Sequence, residues 1–206
     1  MLVEGKHYRT IWPNKALTGV TIIDQTYLPF KFKLKDLTSL DEVVEAIKSM
    51  RVRGAPLIGI TAAYGLAIAL TKNPTDESLI EAKRKLIGSR PTAVNLSWAV
   101  KLLCDKIEIQ PKDNRISMVW MLANKLADED IKTNKSIGKY GFELIDKIKK
   151  PRINILTHCN AGWLATIDHG TALSPIYKAF EKGLDVHVWV DETRPRNQGM
   201  NLTAWE

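Results

Sequence analysis

The sequence has 206 residues, 45% of them hydrophobic and 26% charged, which is enough apolar material for one large domain or two small ones with an ordinary core. Its formal net charge of +7 favours anionic partners such as phosphates. The excess is scattered, and no basic stripe is interleaved with aromatics, which sets aside nucleic-acid binding.

Cys104 and Cys159 are the only cysteines, far apart in sequence, and they form neither a disulfide framework nor a zinc-spaced cluster. The start "MLVEGKHYRTIW" lacks the basic-then-apolar pattern of a signal peptide. The longest apolar stretch, residues 56–70, is too short for a membrane span and contains Gly59 and Gly65. The expectation is a soluble, reducing, cytoplasmic setting with no metal and no membrane partner.

Three short strand patterns open the chain, at residues 8–12, 20–24 and 30–35; the last, "FKFKLK", alternates as a strand with one wet face would. Ser39 with Glu42 forms a capping-box pattern ahead of an apolar face of Leu40, Val43, Val44, Ile47 and Met50. Pro56 suits a helix start, opening the small-residue segment "PLIGITAAYGLAIAL". Helices follow at 76–87, closed by Gly88, and at 93–107, and then a long helical region from 116 to about 149 that reads as interrupted.

After "KIKKPR" the pattern changes to a strand at 153–158, a helix at 171–182 closed by Gly183, and a strand at 186–190. That is a βαβ unit with parallel strands, so "HCNAG" and "DETRPRNQG" leave the same sheet edge, where ligands bind in such folds. Cys159, Asp191, Glu192, Arg194 and Gln198 are therefore expected near one another, with the thiol facing Arg194. Two strands cannot bury both faces of a parallel sheet, so the expectation is a fragment, with a missing or separate C-terminal segment completing it.

Each candidate has a bland reading beside the chemical one. Cys159 at a strand exit is either a tuned thiol or a small buried hydrophobe. His158 points to the face opposite its neighbour, which favours a structural hydrogen bond. Asp168 and His169 read as turn residues and His187 as a satisfied core histidine. Arg51, Arg53 and Arg90 each precede a turn or helix start, which suits a phosphorylated, polyhydroxy ligand or, alternatively, solvated turns. There is no Walker loop and no GxGxxG. The charges of "VDETRPRNQG" read as an internal salt-bridge network rather than paired catalytic carboxylates. Gln198 can donate and accept to sugar hydroxyls. The tryptophans read mostly as core, with Trp163 placed to wall an apolar pocket.

Together "VTIIDQTYLPF", "SMRVRGAPLIGITAAYG", "SRPTAVNLSWA", "LTHCNAGWLAT", "HVWVDETRPRNQG" and "LTAWE" resemble the methylthioribose-1-phosphate isomerase family, in order and over nearly the whole chain. The resemblance implies an α/β fold: a small N-terminal β-sheet and helical domain over residues 1–130, then the start of a Rossmann-like domain over 131–206, incomplete at its C-terminus. It implies a cytoplasmic homodimer without metal or nucleotide cofactor, acting on a small phosphorylated sugar in methionine salvage. Carried over, Cys159 is the catalytic cysteine, and Arg53, Gly54, Ala55, Arg90 and Gln198 are substrate-binding. The family's acid–base aspartate and an Asn-Lys substrate contact fall beyond "LTAWE".

The stretch "RNQGMN" and the bulky Trp163 depart from the family pattern and leave the substituent on the sugar's fifth carbon open, so 5-deoxyribose 1-phosphate and ribose 1,5-bisphosphate stand as alternative substrates. A non-catalytic alternative is a regulatory subunit of the translation-initiation guanine-nucleotide exchange factor, which shares the fold. Retention of the thiol argues against that alternative, and Trp163 argues for a thioether or methyl group on the fifth carbon.

Overall fold

The computed structural model describes all 206 residues. β1 (Leu2–Val3) and β2 (Lys6–His7) form a small hairpin, and β3 (Ile11–Pro13), β4 (Val20–Ile23) and β5 (Leu34–Leu37) form an antiparallel sheet in that order. Ile11 pairs with Ile22 and Val20 with Leu37, and all four are buried on the face that meets the helices.

The third strand begins at Leu34 rather than at residue 30. Asp24 caps a single 3-10 turn at Gln25–Tyr27, and its amide reaches Lys33 O at 2.9 Å, which loops the intervening residues outward. Phe32 leaves the strand pattern to stack on Trp205, and Phe30 lies in solvent. Alternation alone could not show that a side-chain cap had already turned the chain.

Five helices follow: α1 (Leu40–Lys48), α2 (Ala55–Lys72), α3 (Asp76–Ser89), α4 (Val94–Ile107) and α5 (Lys112–Ile145). The capping box at Ser39 forms as expected, Ser39 Oγ accepting from Glu42 N and the Glu42 carboxylate accepting from Ser39 N at 3.1 Å. Such a cap contributes about 1 kcal/mol. α2 carries no charge before Lys72, so it is buried on nearly every side, with α1, α3, α4 and α5 around it. By length and composition α2 could cross a membrane; here it is the core helix. A Cβ on Gly59 would come within 3.0 Å of Asn95 O, so glycine there lets α2 and α4 meet near their starts.

α5 is one uninterrupted helix of 34 residues, about 50 Å long, and passes residues 130 and 131 without a break. Its first half seals α2: Trp120 Nε1 donates to Thr71 Oγ1 at 2.9 Å, and Tyr64 OH to Asn124 Oδ1 at 2.9 Å. Its second half packs on α6 (Ser174–Glu181), where Gly138 and Gly141 make room for Ser174 and Pro175. The expected interruption is absent, and Gly138 and Gly141 are packing positions.

β6 (Ile153–His158) and β7 (Val186–Asp191) pair in parallel, Ile153 with Val186 through to His158 with Asp191, and α6 connects them as the βαβ reading requires. The crossover helix starts at Ser174 rather than residue 171, because the segment before it runs through a buried loop. One sheet face is open, with Leu156 67% and Trp189 58% exposed. His187 shares that face, edge-on to Trp189, and Trp98 is also largely exposed. The readings of these residues as core are corrected: strand alternation places His187 with Trp189, opposite the helix-covered side.

Replacing Leu66, fully buried in the middle of α2, with alanine should lower unfolding stability by about 2–5 kcal/mol, read from the shift in urea midpoint.

Candidate active site

β6 ends at His158, and Cys159 turns out of the sheet with φ +59°, a region a non-glycine residue enters at a cost. Its amide donates to Asp191 O at 3.0 Å, which locks the turn to the end of β7. Its carbonyl accepts from Thr203 Oγ1 at 2.6 Å, and its Sγ lies 3.5 Å from Gln198 Oε1 as donor. The thiol's polar contact is therefore Gln198; Arg194 is solvent-exposed. His158 points to the open face, 4.0 Å from Asp191, and does not polarise the cysteine.

The other wall comes from the turn between α1 and α2. Arg53 is 8% exposed. Its Nη1 donates to Asn160 Oδ1 and its Nη2 to Asn160 O at 3.3 Å, while Nε has no partner. Burial lowers the guanidinium's pKa; nearby Cys159 and Glu206 raise it, and Arg90 lowers it further. Gly54 follows with φ +93°, and a Cβ there would lie 2.5 Å from Ala165, so only glycine lets the turn reach the loop after Cys159.

Arg53, Gly54, Ala55, Arg90 and Gln198 line one cavity of about 520 Å³, together with the start of α4. Two helix N-termini and two guanidinium groups converge there, the arrangement that binds an anion. A second cavity of about 210 Å³ shares Arg53 and Gln198 and adds Leu28, Leu202 and Arg196. Of the three arginines before turns, Arg51 does not join: it pairs with Asp24 behind the turn.

The expected salt-bridge network in "VDETRPRNQG" does not form. Glu192 instead accepts from Thr193 N at 2.8 Å, Gly199 N at 2.7 Å and Met200 N at 3.1 Å, closing the loop so that Gln198 turns inward. Trp163 is buried in a second core with Ile23, Leu28, Leu164 and Leu202 and lines neither cavity. Its expected place in a pocket wall is corrected, and it carries no argument about the substrate. Asp168 does more than turn the chain: it takes the Met1 ammonium at 2.6 Å and His7 at 2.8 Å. Burial would raise its pKa, but these partners and the His169 amide hold it below the usual carboxylate value.

Sequence reading misses Asn160, Thr203 and Glu206. Asn160 sits inside "HCNAG", but nothing in that motif shows that its side chain bridges Arg53 to the segment "LTAWE". No three His, Cys, Asp or Glu side chains are grouped as metal ligands would be.

A model of the initiation factor 2 subunit family matches residues 51–206. The chain belongs to that family. It is 50% identical over 215 residues to methylthioribose-1-phosphate isomerase of Rhodospirillum rubrum, covering 100% of this chain and 55% of that protein. To the protein of the same name in Escherichia coli it is 53% identical over 211 residues, covering 100% of this chain and 57% of that protein. The chain thus spans a little over half the length of these relatives. Among solved structures, 5-methylthioribose 1-phosphate isomerase of Pyrococcus horikoshii superposes with a TM-score of 0.86 at 40% identity, over 98% of this chain and 57% of that one. The delta subunit of translation initiation factor eIF-2B from A. fulgidus gives 0.83 at 36% identity, over 97% and 58%. These likenesses agree with the α/β family fold expected from the sequence.

The two thiols should separate in a titration with Ellman's reagent. Cys104 is buried in the helical core, which pushes its pKa up to about 11, whereas Cys159 is half-exposed. One thiol should react in the native protein and be absent in Cys159→Ser; the second should react only in denaturant.

Burial also pushes the Glu206 carboxyl up to about 7, although Tyr177, Leu164, Asn160 and Arg53 pull it down. A carboxyl whose folded pKa lies above its ordinary 4.5 contributes fully at low pH, and the contribution is lost as pH rises through about 7. Between pH 5 and pH 8 the wild-type protein should therefore lose about 2 kcal/mol more stability than Glu206→Gln, measured by urea unfolding at both values.

Proposed function

We propose that this chain supplies the anion-binding pocket and the reactive thiol of an aldose–ketose isomerase that converts 5-methylthioribose 1-phosphate to 5-methylthioribulose 1-phosphate, a step of methionine salvage. The observation that carries this is Cys159 Sγ set 3.5 Å from Gln198, a residue that also lines the cavity holding Arg53 and Arg90. The relatives named for that reaction support it.

On this reading Arg53, Arg90 and the backbone of Gly54 and Ala55 take the phosphate, and Gln198 takes a sugar hydroxyl. The phosphate blocks the anomeric oxygen, so the ring cannot open to a free aldehyde as in ordinary aldoses. The ring must be opened and a hydrogen moved from the second carbon to the first. Cys159 handles a proton at those carbons, whether the hydrogen travels as a proton through an enolate or as a hydride. The fifth carbon's substituent lies in the smaller cavity, against Leu28, Met50 and Leu202. Arg196 at the same cavity keeps ribose 1,5-bisphosphate as the second reading. A cytoplasmic location and assembly as a homodimer belong to the same proposal.

The test is phosphorus NMR of this chain with methylthioribose 1-phosphate, 5-deoxyribose 1-phosphate and ribose 1,5-bisphosphate, alongside calorimetric binding. A ketose-phosphate signal strongest with the methylthio sugar and lost in Cys159→Ser is expected. Arg53→Ala should weaken binding about 10- to 100-fold, the loss of charge-assisted hydrogen bonds. A wild-type chain that neither converts nor binds the methylthio sugar overturns the proposal, and preferential turnover of the bisphosphate replaces it with the second reading.

A further inference from the structure

Glu206 lines neither cavity, and its carboxylate is enclosed by neutral donors. Oε2 accepts from Tyr177 OH; Oε1 accepts from Leu164 N at 2.8 Å and from Asn160 Nδ2 at 3.3 Å. The loop is shaped around this group: a Cβ on Gly162 would collide with the Glu206 carboxylate and come within 2.5 Å of Tyr177 OH. An acceptor enclosed this tightly dictates what faces it.

The group it dictates is the Asn160 amide. Above pH 7, where Glu206 is ionised, its carboxylate only accepts, so Nδ2 must turn towards it, where Nδ2 also donates to Thr203 Oγ1 at 3.0 Å. That leaves Oδ1 pointing the opposite way, where it accepts from Arg53 Nη1 while Asn160 O accepts from Nη2. A flipped amide would set an NH2 against a guanidinium that has only donors. Arg53 makes no ion pair of its own, so the Asn160 carbonyl groups alone set the plane in which its guanidinium faces the cavity.

We propose that Glu206 is a positioning residue which, through the Asn160 amide, fixes the direction in which Arg53 faces the anion-binding cavity. This rests on the reading of Arg53 as a phosphate ligand. It also makes a prediction of sign. A carboxylate acting only through its charge repels an incoming anion, so neutralising it would tighten binding; one acting by positioning gives weaker binding when neutralised.

The experiment is isothermal titration of ribose 1-phosphate into the 206-residue chain at pH 8, where Glu206 is ionised, for wild type, Glu206→Gln, Arg53→Ala and the double variant, with a thermal melt of each. Glu206→Gln should bind about 10-fold more weakly than wild type yet add nothing in the Arg53→Ala background, because its effect passes through Arg53. Glu206→Asp keeps the charge but draws it one methylene back from Asn160; if the glutamine variant fails to fold, a loss in the aspartate variant that again vanishes without Arg53 supports the positioning role equally. Unchanged or tighter binding by both Glu206 variants overturns the proposal, as does an equal loss with and without Arg53. Arg53→Ala binding as well as wild type would remove the phosphate-ligand reading itself. A normal Arg53→Ala loss with silent Glu206 variants removes only the positioning role.

Discussion

The site depends on a loop that is buried where loops usually lie at the surface. From Gly162 to Asp168 every residue is buried, so its backbone groups must find partners inside the protein. The N-terminal elements supply them: Thr10 bonds the carbonyls of Thr166 and Ile167, and Gln25 Nε2 reaches Leu164 O at 2.7 Å. Asp130 on α5 accepts from Ile167 N at 2.9 Å, and Glu206 takes Leu164 N. Leaving one such group unpaired costs about 1–3 kcal/mol, so the loop has one position open to it. Because that loop carries Ala165 against Gly54 and follows directly from Cys159, it holds the two walls of the cavity in register. The strands at the N-terminus are small, but they act as the mould for this segment.

Arg53 is the electrostatic consequence. A guanidinium 8% exposed offsets its lost hydration only in part, through two carbonyl oxygens of Asn160. The carboxylate behind Asn160 lowers the local charge without neutralising the face that looks into the cavity. With Arg90 and two helix starts on the same cavity, the remaining positive potential is directed at one place. Met50, which lines the cavity, and Cys159, bonded to its wall residue Gln198, both have positive φ. Backbone strain at such positions persists only where surrounding packing over-determines it, and the buried loop provides that packing.

Much of this is legible in the sequence, for definite reasons. The capping box at Ser39 and the βαβ unit from Ile153 to Asp191 are local patterns with local causes, and the structure reproduces them. The parallel pairing places Cys159 and Gln198 at one sheet edge from topology alone. What escapes is non-local. His187 and Trp189 carry core residue types, yet nothing in a strand's alternation says which face a helix will cover. Nearness to Cys159 in sequence suggests a pocket wall for Trp163, whereas the loop folds it into a second core. Glu206 and Asn160 lie 46 positions apart and meet only in the tertiary fold, where Thr203 also bonds the Cys159 carbonyl.

The fold does not choose between an enzyme and an assembly subunit, since an isomerase and a translation-factor subunit superpose on this chain about equally well. The side chains do. A binding-only module has no use for a thiol held at positive φ against a glutamine, nor for a buried arginine left without a counter-ion at a cavity wall. Both features cost stability, and Gln198, the partner of the thiol, lines the same cavity as the arginine. The proposed reaction on a blocked sugar phosphate would use that combination: an anion site to hold the phosphate and a proton-handling group at the neighbouring carbons. The open cavity between Arg53, Arg90 and Gln198 is the feature on which the proposed isomerase reading rests.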